Sequence, residues 1–112
     1  MLPKPQRLNL KKDFKWVSAG KRIDTKYMKL FIKMGDNLSA RVGIAVSAQI
    51  FKKATQRNRA RRITSTVFES LYAKLPSNIN IVALPKDRVL EVKSGDILLD
   101  LEDTLKHEKI VD

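Results

Sequence analysis

Lys52-Lys53-Ala54-Thr55-Gln56-Arg57-Asn58-Arg59-Ala60-Arg61-Arg62 holds six basic residues in eleven and no acid. The acid-free zone is longer still, because no Asp or Glu occurs between Asp36 and Glu69. Positive charge at this density repels itself, so a fold that keeps it together is matched to a polyanion. At about 100° per residue, Ala60, Ile63, Val67 and Leu71 share one face, which predicts an amphipathic helix running to about Lys74. Asn58, Arg59, Arg61 and Arg62 fall on the polar arc, with Arg57 near its border. Thr55 is the expected N-cap, which puts Arg57 and Arg59 in the first turns.

That placement is locally unfavourable. A helix N-terminus carries a partial positive charge, and a cation there costs a few tenths to about 1 kcal/mol. Removing Arg57 is therefore expected to leave stability unchanged or slightly higher. A bound phosphate reverses the sign, since free N–H groups and guanidinium groups converge on it. The plain alternative is a solvated polar face. The helix-end conflict and the missing acids favour RNA or DNA instead.

Composition narrows the field. A chain of 112 residues, 43% hydrophobic, is expected to form a single domain over residues 1–112 with one modest core. The net charge of +11 is unevenly spread: residues 1–86 hold 19 basic and 4 acidic side chains, residues 87–112 hold 4 and 8. A basic body with an acidic end points to a directional nucleic-acid surface. With no cysteine, disulfides and thiolate metal sites are excluded. The lone His107 cannot build a histidine cluster and reads as a solvent-facing residue near a helix end. No apolar run approaches the ~20 residues of a membrane span. The basic N-terminus lacks a following apolar signal region, so a cytoplasmic protein is expected.

In chain order, Met1 to Asn9 reads as an irregular, mobile arm. Leu10 to about Ser18 reads as a short helix with Leu10, Phe14 and Val17 on one face and Gly20 as its stop. Trp16 lies roughly opposite Phe14, partly buried against the sheet. Arg22 to Met34 reads as one strand, setting Tyr27, Lys29, Phe31 and Lys33 against an aliphatic face of Met28, Leu30 and Ile32. Aromatics interleaved with lysines suit single-stranded nucleic acid: rings for bases, ammonium groups for phosphates.

Gly35-Asp36-Asn37 reads as a hairpin turn. Ala40 to Ser47 reads as a second strand with Val42, Ile44 and Val46 on one face; Gly43 and Ala45 leave the other face low enough for a groove. After a break at Pro76-Ser77-Asn78, Ile79 to Leu84 reads as a strand buried on both sides, and Pro85 to Arg88 as a loop. From Ser94 a capping pattern opens a closing helix with the stripe Ile97, Leu98, Leu101 and Leu105. The order is that of an α/β (α+β) two-layer sandwich with one sheet.

Lys53 to Arg62 resembles the Arg-Asn-Arg signature of the bacterial ribonuclease P protein family. Arg41-Val42-Gly43-Ile44-Ala45-Val46-Ser47 resembles the strand that precedes it there, and Arg7-Leu8 with Asp13-Phe14 the opening helix. The resemblance runs from about Arg7 to Leu84. It implies a mixed sheet of about four strands packed with three helices, including a left-handed βαβ crossover, where spacing alone predicts a right-handed one.

The resemblance also implies a protein subunit of an endoribonuclease whose RNA subunit performs the hydrolysis at the 5′ end of mature tRNA. Lys52, Lys53, Arg57, Asn58, Arg59, Arg61 and Arg62 then match the part that contacts the catalytic RNA. Phe14, with Tyr27 and Phe31, matches the cleft for the 5′ leader of precursor tRNA. Mg2+ is expected through the RNA subunit, with no metal site and no catalytic residue on the protein. The implied partners are that RNA and precursor tRNA, with no membrane and no obligate protein partner.

Asp100, Glu102 and Asp103 read as a solubilising outer face. Ser18 stands where the family commonly has a second aromatic, Met28 where another often occurs, and Lys52 where glycine is usual. Two other classes fit the basic helix: a ribosomal or RNA-chaperone-like module, and a DNA-binding domain, though helix-turn-helix spacing is absent.

Overall fold

The computed structural model describes residues 2–111. Four strands form one mixed sheet in the order β1-β2-β4-β3. They are β1 (Lys21–Asp24), β2 (Met28–Met34), β3 (Arg41–Ile44) and β4 (Ile79–Pro85). Three α-helices accompany them: α1 (Leu10–Ser18), α2 (Ala54–Leu71) and α3 (Ser94–His107). β1 pairs antiparallel with β2, and β2 antiparallel with β4, whereas β3 runs parallel to β4.

β4 is central because it can be buried on both faces. Ile79, Ile81 and Ala83 enter the main core with α2 and α3, while Val82 and Leu84 face α1. The stripe expected of α2 lies where the periodicity puts it, with Ala60, Val67 and Leu71 buried and Ile63 half-buried at the edge. Ile97, Leu101 and Leu105 of α3 fill the same core. Thus α2 and α3 form a layer on one face of the sheet, and α1 lies on the other against β2 and β4.

The single strand expected from Arg22 to Met34 is a hairpin. The Thr25 hydroxyl accepts from the amides of Tyr27 (3.3 Å) and Met28 (3.0 Å), and donates to the Met28 carbonyl at 3.0 Å. This side-chain turn interrupts the ladder and flips its phase. Ile23, Thr25 and Tyr27 are buried on one parity; Met28, Leu30 and Ile32 are buried on the other.

The hairpin expected at Gly35-Asp36-Asn37 does not form, since β4 lies between β2 and β3. Asn37 instead ties the loop to the start of β4. Its Nδ2 donates to the carbonyls of Ser39 (2.8 Å), Ser77 (3.2 Å) and Ile79 (3.1 Å), and its Oδ1 accepts from Asn80 at 2.9 Å.

Several boundaries also move. From Leu2 onward the N-terminal segment is docked rather than a loose arm, with Met1 outside the described residues. Lys4–Gln6 form a 3-10 turn, and the Leu8 amide donates to the Val42 carbonyl at 3.1 Å on the free edge of β3. Leu8 and Leu10 also lie over Gly43, where a Cβ would fall 2.7 Å from a Leu10 methyl, so the groove expected there is narrowed to a small cleft lined by Leu8, Leu10, Gly43 and Ile44. Asn9 caps α1 through its side chain, and Gly20 ends it where a Cβ would run into the Ile32 carbonyl. The N-cap of α2 is Lys53 rather than Thr55, and that of α3 is Lys93 rather than Ser94. Neither cap residue makes a side-chain bond to the helix. Part of the loop expected at Pro85 to Arg88 winds into a 3-10 turn over Asp87–Leu90.

Candidate nucleic-acid interface

The basic segment is held at its entry by one buried ring. Phe51 is 1% exposed in the main core, and its amide donates to the Ser47 carbonyl at 2.9 Å. From that anchor Lys52 and Lys53 project outward, and α2 starts at once. The helix end has no side-chain cap and no acid in its first turn, so no side chain of its own offsets its partial positive charge.

Asn58, Arg59 and Arg62 are exposed, while Arg57 and Arg61 are half-buried. Arg57 bends back to donate from Nη1 to the carbonyls of Phe51 (2.8 Å) and Lys52 (3.2 Å). Arg61 donates from Nη1 to Oδ1 of Asn58 at 3.2 Å. Asn58 therefore orients Arg61, a role that charge counting does not reveal.

The acids lie elsewhere. Glu108 pairs with Lys21 at 2.8 Å, and Glu102 with Lys74 at 3.3 Å. Asp24 lies near Arg22 and Lys86 at 3.4 and 3.5 Å. Asp100 accepts from the Lys26 amide at 3.2 Å. The outer face of α3 is thus more than solubilising. It ties down the β1–β2 turn and the end of α2, offsetting cations there. No ion pair among the described residues involves Arg57, Arg59, Arg61 or Arg62. The Lys21 bond and charge hold the Glu108 carboxyl below its ordinary range. For Asp24, slight burial acts upward, but Lys86 and Arg22 together bring it below the ordinary value.

A second surface lies on the α1 side of the sheet. Phe14 and Phe31 are half-buried neighbours of the small cluster of Leu8, Val17 and Val82, with Leu84 beside them. Lys29 and Lys33 flank Phe31 on the same face of β2 and are also half-buried. The structure brings Phe14 and Phe31 together but leaves Tyr27 out. At 7% exposure Tyr27 belongs to the main core, because the Thr25 turn flips the strand phase before Met28.

Trp16 was expected to be partly buried against the sheet, and it is 41% exposed with its ring edge beside Gly35. The Lys33 ammonium sits 5.0 Å from the ring centroid, within cation–π range. Trp16 and Lys33 extend the aromatic–lysine surface beyond Phe31, and Trp16 also lines a hollow with the exposed Arg41 in which Asp13 and Asp36 supply opposing charge. Strand alternation marks Lys33. The Trp16 contact depends on how α1 crosses β2 and leaves no mark in sequence.

Two surfaces then share one small protein: a helix end with unneutralised guanidinium groups, and an aromatic–lysine surface across the sheet. A family model described as Ribonuclease P matches residues 2–109. The chain belongs to the ribonuclease P protein family. The Pseudanabaena ribonuclease P protein component is 35% identical over 96% of this chain and 90% of its own length. The Thermotoga maritima component is 34% identical over 77% of this chain and 74% of its own.

Among solved structures, the Thermotoga maritima RNase P protein in complex with 1-(4-fluorophenyl)-2-thiourea superposes with a TM-score of 0.78 at 27% identity, covering 89% of this chain and 97% of that one. A Staphylococcus aureus RNase P protein gives 0.81 at 20% identity over 96% and 91%, a likeness of fold. The mixed four-stranded sheet with three helices is thus the architecture of ribonuclease P proteins. Among the described residues no group of three or more His, Asp or Glu converges as a metal site, and no helix is long and apolar enough to cross a membrane.

Proposed function

We propose that this ribonuclease P protein docks on the catalytic RNA of the enzyme through Lys52, Lys53, Arg57, Asn58, Arg59, Arg61 and Arg62. In the same complex it holds the 5′ leader of precursor tRNA on Phe14 and Phe31. Its part in tRNA 5′ maturation is to position that substrate, while the RNA subunit cleaves the phosphodiester with Mg2+ that the RNA binds. The complex works in the cytoplasm. The observation that carries this reading is the unneutralised arginine cluster at an uncapped helix end, in a family named for the enzyme.

Each exposed arginine neutralises about one phosphate, and the helix-end amides add a fixed dipole to the same site. The two half-buried rings take bases by stacking, worth about 1–3 kcal/mol each, with Lys29 and Lys33 beside Phe31 for the phosphates. Tyr27, buried in the main core, supports the hairpin and does not meet the leader.

Reconstitution with a bacterial ribonuclease P RNA and precursor tRNA tests the reading. The protein alone is expected to be inactive, and to raise cleavage by the RNA at low magnesium. Cleavage by RNA-free protein after rigorous purification, or no effect on the RNA, contradicts it.

A further inference from the structure

A cleft of about 160 Å³ opens where the N-terminal segment meets α2. Leu8, Leu10 and Ile44 wall it, Ser65 lies toward its α2 side, and among the described residues Arg7 and Arg61 are the charged ones lining it. Its walls are mainly apolar, yet it adjoins the arginine cluster through Arg61. Cavities of about 150 Å³ take in a benzene-sized ring, so one nucleobase fits and a folded peptide segment does not.

Both guanidinium groups are held in place. Arg7 donates from Nε to the Leu2 carbonyl at 2.6 Å, and Arg61 donates to Asn58. A guanidinium has five N–H donors, and one bond each leaves donors for an external anion. No ion pair among the described residues engages either arginine.

We propose that this cleft receives one unstacked base of the ribonuclease P RNA, with Arg7 and Arg61 holding its adjoining phosphates. The proposal rests on the reading that α2 docks on that RNA. It adds a contact that selects for a bulged or looped nucleotide, since a paired base cannot leave its stack without cost. The docked N-terminal segment then has a function of its own, as one wall of an RNA subsite.

The test uses the full chain and a ribonuclease P RNA transcript, without precursor tRNA. Chemical probing of the RNA with wild-type protein should reveal one nucleotide whose base becomes protected on binding while its ribose becomes more reactive. Ile44→Trp, which fills the cleft without changing charge, should abolish that signature. It should also weaken binding by about 5- to 150-fold, the range of a single accommodated base, with an unchanged salt slope. Circular dichroism and thermal melting establish that the variant is folded; if it is not, the wild-type probing decides alone. Absence of such a nucleotide, or its appearance only when precursor tRNA is added, overturns the proposal. So does a folded Ile44→Trp protein that binds normally. If Arg59→Ala weakens docking while Ile44→Trp does not, only the cleft assignment fails; if neither does, the α2 interface itself fails.

Discussion

Arg57 reaches back over the start of α2, and its Nη1 donates to the Phe51 carbonyl at 2.8 Å. Phe51 is itself buried in the main core. A second bond from the same atom to Lys52 makes this guanidinium a brace between helix and loop. The helix-dipole argument alone expects Arg57→Ala to be neutral or slightly stabilising. The brace reverses that expectation.

Arg57→Ala should therefore lower stability by about 1 kcal/mol, the loss of a charged hydrogen bond less the relief at the helix end. For a chain of this size that is a drop of about 4 °C in Tm. Arg59→Ala, at an exposed position with no such brace, should leave Tm within a degree. Equal melting temperatures for the two variants would show that the brace contributes nothing.

Phe14→Ala and Tyr27→Ala should separate cleanly. Phe14→Ala is expected to weaken precursor tRNA binding by about 1–3 kcal/mol while mature tRNA is nearly unaffected. Tyr27→Ala empties a core position and should cost about 3 kcal/mol of stability, with any loss of binding equal for both tRNAs. A selective loss of leader binding in a folded Tyr27→Ala protein would put Tyr27 back in the cleft.

The aromatic stripe shows what could be read without coordinates. Lys29, Phe31 and Lys33 share a face because a two-residue period is a local property. Tyr27 left that face because one hydroxyl, that of Thr25, satisfied three backbone groups and reset the phase. Helical stripes were legible for the same local reason: Ala60, Val67 and Leu71 are buried as spaced. Strand order was not, because the insertion of β4 between β2 and β3 is a long-range choice. Asn37 and Asn80 record that choice in hydrogen bonds, yet their pattern in sequence resembles any turn. Likewise the N-terminal prolines read as a loose arm, whereas the free edge of β3 supplied an acceptor for Leu8.

Asn80→Ala should confirm how the long loop is fixed. Asn80 is 3% exposed and donates to both Asn37 Oδ1 and the Lys33 carbonyl. Losing both bonds is expected to cost about 1–3 kcal/mol and to speed amide exchange at Gly35, whose N–H donates to the Asn78 carbonyl. Unchanged exchange there would mean that the loop is held by other contacts.

Acid should loosen α3 from β1. The Lys21 bond and charge hold the folded-state pKa of Glu108 below its ordinary carboxylate value, so its contribution is fully present above the unfolded value. It is lost as pH falls through the lower folded value. Glu108→Gln should remove this part of the acid sensitivity, and Lys21→Ala should return the Glu108 titration, followed by NMR, toward the ordinary range. A Glu108 titration indifferent to Lys21→Ala contradicts the pairing.

The salt dependence of ribonuclease P RNA binding by Arg59→Ala tests the central claim most directly. Arg59 is exposed and lies beside the uncapped end of α2, so its removal leaves the fold intact. Weaker binding is expected, with a slope of log K against log salt smaller by about 0.7–0.9, the value of one phosphate contact. An unchanged affinity and slope, in a protein that melts as the wild type does, would contradict the assignment of α2 as the RNA-docking helix.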